Sequence, residues 1–196
     1  KTTLSEALLY TTGKIRKLGR VDHKDAYLDT FQMERDRGIT IFSKQAVMEY
    51  NDMRLILLDT PGHVDFSAEM ERTLSVLDYA VLVVSGSESV QGHTETLWKL
   101  LETYHVPTFL FVNKMDMPNV SGDFLLHEIK EKLSDSVVRF PVGVGTMEDI
   151  AMCDEDLFET YMEGGEISET TISELIYNRD LFPCYFGSAL QLDGVD

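Results

Sequence analysis

Three short apolar runs in this 196-residue chain end directly on polar loops, and the stretches between them carry helical periodicity. Residues 55–58 (Leu-Ile-Leu-Leu) lead into Asp59-Thr-Pro-Gly62, residues 108–112 into Asn113-Lys-Met-Asp116, and residues 183–186 into Gly187-Ser-Ala189. Short buried strands alternating with amphipathic helices are the pattern of a parallel sheet, whose connections must cross over. In open sheets of that kind ligands lie beyond the carboxyl ends of the strands. The polar residues fall there.

Their chemistry specifies the ligand. A carboxylate at Asp59 suits magnesium, which keeps several waters and takes few protein ligands, and Gly62 lets backbone approach a terminal phosphate. Asp116 can accept two hydrogen bonds from the N1–H and exocyclic amine of guanine, a pattern that adenine does not offer. Lys114 can lay its methylenes along the base or sugar. A simple strand-end turn would explain either tetrapeptide in isolation. Three further pieces stand in the order such a site requires: Lys1-Thr2-Thr3 entering an amphipathic stretch, as the end of G-x-x-x-x-G-K-[ST] does; Thr40 within Arg37-Gly-Ile-Thr-Ile41; and Ser188-Ala189 after the last strand. Together they predict a guanine nucleotide, GTP or GDP, held with Mg2+.

The chain resembles the GTPase domain of translational GTPases, in particular the elongation factor G group and, within it, the tetracycline ribosomal-protection proteins. Lys1-Thr-Thr-Leu4, Glu34-Arg-Asp-Arg-Gly-Ile-Thr-Ile41, Asp59-Thr-Pro-Gly-His-Val-Asp-Phe66, Asn113-Lys-Met-Asp116 and Gly187-Ser-Ala189 carry the resemblance. Leu157-Phe-Glu-Thr-Tyr-Met-Glu-Gly164 and Leu181-Phe-Pro-Cys-Tyr-Phe-Gly-Ser188 look more like the ribosomal-protection branch. His93 stands where the family usually has Gln. The resemblance implies an α/β P-loop GTPase fold, mostly parallel, with helices on both faces of the sheet and an inserted α+β subdomain. It further implies that Lys1 holds the β- and γ-phosphates, that Thr2 and Thr40 ligate Mg2+ with Asp59 acting through water, and that Gly62 meets the γ-phosphate. His63 would take the place of the water-orienting Gln of other GTPases. Asn113 and Asp116 would choose guanine, with Ala189 offering a backbone N–H to its carbonyl; Thr3 and Ser188 belong to the same binding loops. The implied partner is the ribosome, both its RNA and its stalk proteins, met by a monomer in the cytoplasm.

Residues 1–136 are expected to form the GTPase core, 137–178 an inserted acidic subdomain, and 179–196 the return to the core. The expected elements are helix 2–11, an irregular stretch to Gly38, strands 43–50 and 54–58 joined at Asn51-Asp52, helix 65–77 capped by Asp65, strand 80–84, helix 94–104, strand 108–112 and helix 123–133. Helices near 154–162 and 168–177, broken at Gly164-Gly165, complete the insert. Gly143-Val-Gly145 lacks the third Gly of a dinucleotide fingerprint and shows no helix pattern behind it. Trp98 lies on a core-facing stripe, and Ser85-Gly-Ser-Glu-Ser89 reads as a loop.

Charge is unevenly placed. The net charge is −17, yet residues 1–44 hold nine Lys or Arg against six acids, while residues 148–180 hold eleven acids against Arg179 alone. The first segment tolerates nearby RNA phosphate, and the second prefers a basic protein. No apolar run reaches the roughly 20 residues of a membrane helix, the opening residues are not those of a signal peptide, and two unspaced cysteines fit a reducing compartment. Two other readings stay open: a binding module without turnover, and a GTPase of signalling or assembly type. A molecule of these residues alone would lack the phosphate-loop glycines and the first strand, and is expected to hold nucleotide poorly.

Overall fold

The computed structural model describes residues 1–19, 26–28, 40, 42–61, 67–143 and 145–195. Most of the expected irregular stretch before Gly38 and the Asp65 cap lie outside these residues. The chain divides into two compact units, one of Lys1–Val76 with Ser188–Asp196 and one of Leu77–Gly187.

In the first unit, α1 (Thr2–Thr11) buries Leu4, Ala7 and Leu9. Leu9 packs with Ile15, Leu28, Ala46 and Met48. Strands β1 (Lys44–Tyr50) and β2 (Met53–Asp59) form an antiparallel hairpin. Asn51 and Asp52 both take positive φ, 46° and 63°, which is the two-residue turn whose twist matches that of its strands and which Asn and Asp tolerate. The turn fixes the register, Tyr50 opposite Met53 and Lys44 opposite Asp59. A slip of one residue would turn Asp59 to the other face. Helix α2 (Ser67–Leu74) follows and ends before the expected Leu77, with Met70 and Leu74 buried. A Ser43–Thr73 hydroxyl contact of 3.0 Å joins β1's entry to that helix.

The second unit is a four-stranded parallel sheet of order β3-β4-β6-β5. Its strands are β3 (Ala80–Ser85), β4 (Thr108–Asn113), β5 (Val137–Arg139) and β6 (Phe182–Phe186), with α3 (Gly92–Thr103) between β3 and β4 and α4 (Gly122–Lys132) between β4 and β5. Each crossover places apolar side chains on one core: Leu82, Trp98, Leu110, Val112, Leu125, Ile129, Val137 and Phe182. Cys184 belongs to that core and is fully buried; burial pushes its thiol up to about 12, so it packs as an apolar residue. Ser121 caps α4 by accepting a hydrogen bond from the Phe124 N–H.

Between β5 and β6 lie α5 (Thr146–Ala151), α6 (Glu155–Met162) and α7 (Glu169–Asn178). Asp154 and Ser168 cap the last two, and Gly164 takes a φ of +88° at the break between them. Two local expectations change. Val137–Arg139, placed by the alternation pattern at the start of the insert, pairs with Phe182–Cys184 as a strand of the sheet. A helix does follow Gly145, although it is six residues long and too short to show a period. Ile150 and Leu175 join Val138 and Leu181 in a second apolar cluster beneath these helices.

Arg179 fastens α7 to the sheet. Its guanidinium lies 5.3 Å from the Trp98 ring and 5.0 Å from the Phe182 ring. It donates to the Val106 carbonyl and, at 2.9 Å, to the Thr108 hydroxyl. A planar fork can stack and donate at once, whereas an ammonium cannot. Arg179→Lys should therefore lower unfolding stability by about 1–2 kcal/mol in a urea titration; a change under a few tenths would show that the stacking contributes nothing.

Candidate functional site

The phosphate-type residues of the first unit converge. Asp59 ends β2 and is 3% exposed. Its Oδ2 accepts a hydrogen bond of 2.9 Å from the Thr2 hydroxyl, which lies 3.1 Å from the Thr40 hydroxyl. Lys1 Nζ stands 3.4 Å from Asp59 Oδ1 and also donates to the Thr60 carbonyl. Thr2 and Thr40 are themselves buried, at 8% and 7% exposure. Four residues from three separate segments of the sequence thus share one point.

The donor set fits magnesium. Asp59 Oδ1 is buried and receives no hydrogen bond, although the Lys1 ammonium forms an ion pair with it at 3.4 Å. Leaving a buried carboxylate oxygen without a donor is costly, and a hard cation is the partner that carboxylate and hydroxyl oxygens suit. Beside it, the first turn of α1 has no side-chain cap at Lys1, and the N–H groups and positive end of a helix suit an anion. Thr3 is half-buried in that same turn. Gly62 and His63 lie outside the described residues.

In the second unit the loop after β4 is held by backbone bonds. Asn113 is buried at the strand's end, while Lys114 and Asp116 are exposed. Lys114 adopts the left-handed conformation, φ 66°. The Met115 N–H donates to the Gly187 carbonyl at 3.1 Å, and the Gly187 N–H to the Val112 carbonyl at 3.0 Å, so the ends of β4 and β6 are tied together. The Gly86 N–H donates to the Asn113 carbonyl at 2.7 Å. A Cβ on Gly86 would meet that oxygen at 3.1 Å, so the loop after β3 approaches Asn113 closely. Asp116 is thereby presented to solvent on a fixed turn.

Ser188 and Ala189, assigned to the first unit, are both buried. Ser188 and Asp193 exchange two backbone hydrogen bonds of 3.0 Å, which close a tight turn around Ala189. Two residues escaped the reading from motifs. Lys44 is buried opposite Asp59, and Glu6 is buried without exposed surface within α1. A charged residue among the apolar positions of a helix was the available signal.

Residues 1–196 match the family model of the elongation factor Tu GTP binding domain. The chain belongs to that family. It is 37% identical over 206 residues to the tetracycline resistance protein TetO of Campylobacter jejuni, covering 96% of this chain and 32% of the relative. Against the tetracycline resistance protein TetP of Clostridium perfringens it is 36% identical over 216 residues, covering 96% and 33%. The chain thus spans about a third of the length of these relatives. A crystal structure of a Thermus thermophilus protein matches with a TM-score of 0.85 at 24% identity, covering 99% of this chain and 36% of that one. That likeness shows the fold alone, and the family model makes it the P-loop GTPase fold. Membership makes the chain a GTP-binding domain of a translational GTPase.

For this GTP-binding domain, Asp59→Asn keeps the shape of the carboxylate and removes its charge. It should raise the magnesium concentration needed for half-maximal GTP binding at least tenfold, about 1.4 kcal/mol, as expected when a charge-assisted contact is lost. Fluorescent-nucleotide titration against magnesium checks this; an unchanged requirement would remove Asp59 from the ion site.

Proposed function

We propose that this domain hydrolyses GTP, with magnesium, in a ribosome-associated factor of the tetracycline ribosomal-protection type. The observation that carries the proposal is the convergence of Lys1, Thr2, Thr40 and Asp59 on one buried point with a carboxylate oxygen to spare. Lys1 holds the β- and γ-phosphates. Thr2 and Thr40 ligate the ion, and Asp59 holds it through water. A bound magnesium ion would neutralise charge on the phosphates. Thr3 and Gly62 add N–H groups at the phosphates, and His63 orients the attacking water. Asn113 and Asp116 read guanine, Lys114 lies along the base, and Ser188-Ala189 supplies an N–H to the guanine carbonyl.

Relatives named for tetracycline resistance support the branch, as do residues 157–164 and 181–188. The acidic stretch 148–180 favours the stalk proteins as a contact, because its one cation, Arg179, is engaged with Trp98 and Phe182. Ribosomal RNA meets the basic residues of segment 1–44. The factor acts as a monomer in the cytoplasm; among the described residues no helix is long and apolar enough to cross a membrane. Ribosome-stimulated GTP turnover by the full-length gene product, scored alongside release of tetracycline from ribosomes and translocation, tests the reading. Turnover with translocation and without drug release would assign the factor to the elongation factor G branch instead.

Two variants separate the roles. Asp116→Asn should weaken GTP binding by at least ~2 kcal/mol through loss of charge-assisted bonds and improve binding of xanthosine triphosphate; an unchanged base preference in competition would end the base-reading role. His63→Ala should leave GTP affinity within about threefold and lower ribosome-stimulated turnover by ~10³ or more. Single-turnover hydrolysis near the parent rate would exclude His63 from catalysis.

A further inference from the structure

Glu6 sits in the body of α1 with no exposed surface, and none of the roles above uses it. Its carboxylate clasps backbone from another part of the chain. Oε2 accepts from the Tyr27 N–H at 3.0 Å and Oε1 from the Leu28 N–H at 2.9 Å. The Tyr27 side chain is 56% exposed, so the grip is on the main chain and not on the ring. The Leu28 side chain, 4% exposed, packs with Leu9, Ile15, Ala46 and Met48. Residues 26–28 are thus fastened to α1 by two hydrogen bonds and one apolar anchor.

One turn earlier, the same helix carries Thr2, whose hydroxyl meets Thr40 and Asp59. A single helix therefore holds one segment of chain at two points, Leu28 through Glu6 and Thr40 through Thr2. Thr40 follows Leu28 by 12 residues, whereas it follows the end of α1 at Thr11 by 29. Shortening the span whose ends must meet from 29 residues to 12 favours the meeting by roughly fourfold on loop-closure grounds.

We infer that Glu6 is a positioning residue for nucleotide and magnesium binding: by clasping the Tyr27 and Leu28 amides to α1 it delivers Thr40 to the ion site. This rests on the assignment of Thr2, Thr40 and Asp59 to magnesium. Glu6 touches neither nucleotide nor ion. A buried carboxylate that kept α1 in place without guiding Thr40 would change stability and leave the magnesium requirement where it was.

The test uses the full-length gene product and fluorescent GTP titrated against magnesium, with urea unfolding in parallel. Glu6→Ala removes both acceptors; Glu6→Gln replaces one acceptor with an amide donor that faces a backbone N–H, and it carries the test should the alanine variant fail to fold. Ile129→Val, a core change in the second unit, sets how much of any effect comes from general loss of stability, and Thr2→Ala marks the ion site itself. The expected result is a magnesium requirement raised about fourfold or more by the Glu6 variants and left near the parent value by Ile129→Val. A smaller rise with Glu6→Gln, or an equal rise with Ile129→Val, would overturn the clasp while leaving the ion site standing. An unchanged requirement in Thr2→Ala would overturn the ion assignment, and the clasp with it.

Discussion

The pairing of Lys44 with Asp59 at the open end of the β1–β2 hairpin fixes where the carboxylate of the proposed ion site lies. The two-residue turn at Asn51-Asp52 sets that register seven positions away, at the other end of the strands. Because side chains alternate faces along a strand, the turn decides whether the Asp59 carboxylate meets Thr2 or faces away from it. Once in place, the carboxylate is buried, and a buried charge must be matched by donors or cations or it costs several kcal/mol. Thr2 supplies one donor and Lys1 an ion pair at 3.4 Å, while Oδ1 receives no hydrogen bond. That oxygen is where the proposed magnesium ion would complete the arrangement.

The loop from Asn113 to Asp116 rests on a different constraint, the parallel sheet. Strands β4 and β6 run side by side toward their carboxyl ends, and backbone hydrogen bonds continue between the residues just beyond them. The Met115–Gly187 and Gly187–Val112 bonds shape the loop that carries Asn113, Lys114 and Asp116. Lys114 takes a left-handed φ that a non-glycine residue adopts at some cost, and the ladder ends hold it there. A loop shaped by strand ends keeps its geometry without an apolar core of its own, which leaves Asp116 exposed and available to a ligand.

Much of this was legible in the sequence because strands announce themselves twice, by apolar runs and by the polar residues at their ends. Helix 2–11 and the turn at Asn51-Asp52 fall where the pattern put them; strands 54–58 and 108–112 run one residue further at their carboxyl ends, so that Asp59 and Asn113 are the last residues of β2 and β4. Val137–Arg139 and Thr146–Ala151 were harder. Three residues of strand show too little alternation, and six residues of helix span fewer than two turns. Pairing with β6, and burial of Ile150 against Leu175 and Leu181, decide those segments through contacts far along the chain. The convergence of Thr40 on Thr2 is legible as a motif order only; the 3.1 Å contact belongs to the fold.

Glu6 and Asp59 lie in the same unit and are both buried carboxylates, yet the fold treats them oppositely. Glu6 has each oxygen filled by a backbone N–H, from residues that its own helix also anchors through Leu28. With both oxygens accepting from backbone, it acts on the chain that it grips. Asp59 has one oxygen bonded to Thr2 and the other without a donor. An unfilled buried acceptor raises the energy of the free domain and lowers it again when a cation arrives, so it favours the liganded state by differential stabilisation. The contrast sets the two carboxylates apart without appeal to motif: Glu6 is bonded to backbone at both oxygens, while Asp59, at a strand's carboxyl end, keeps one oxygen without a hydrogen-bond donor.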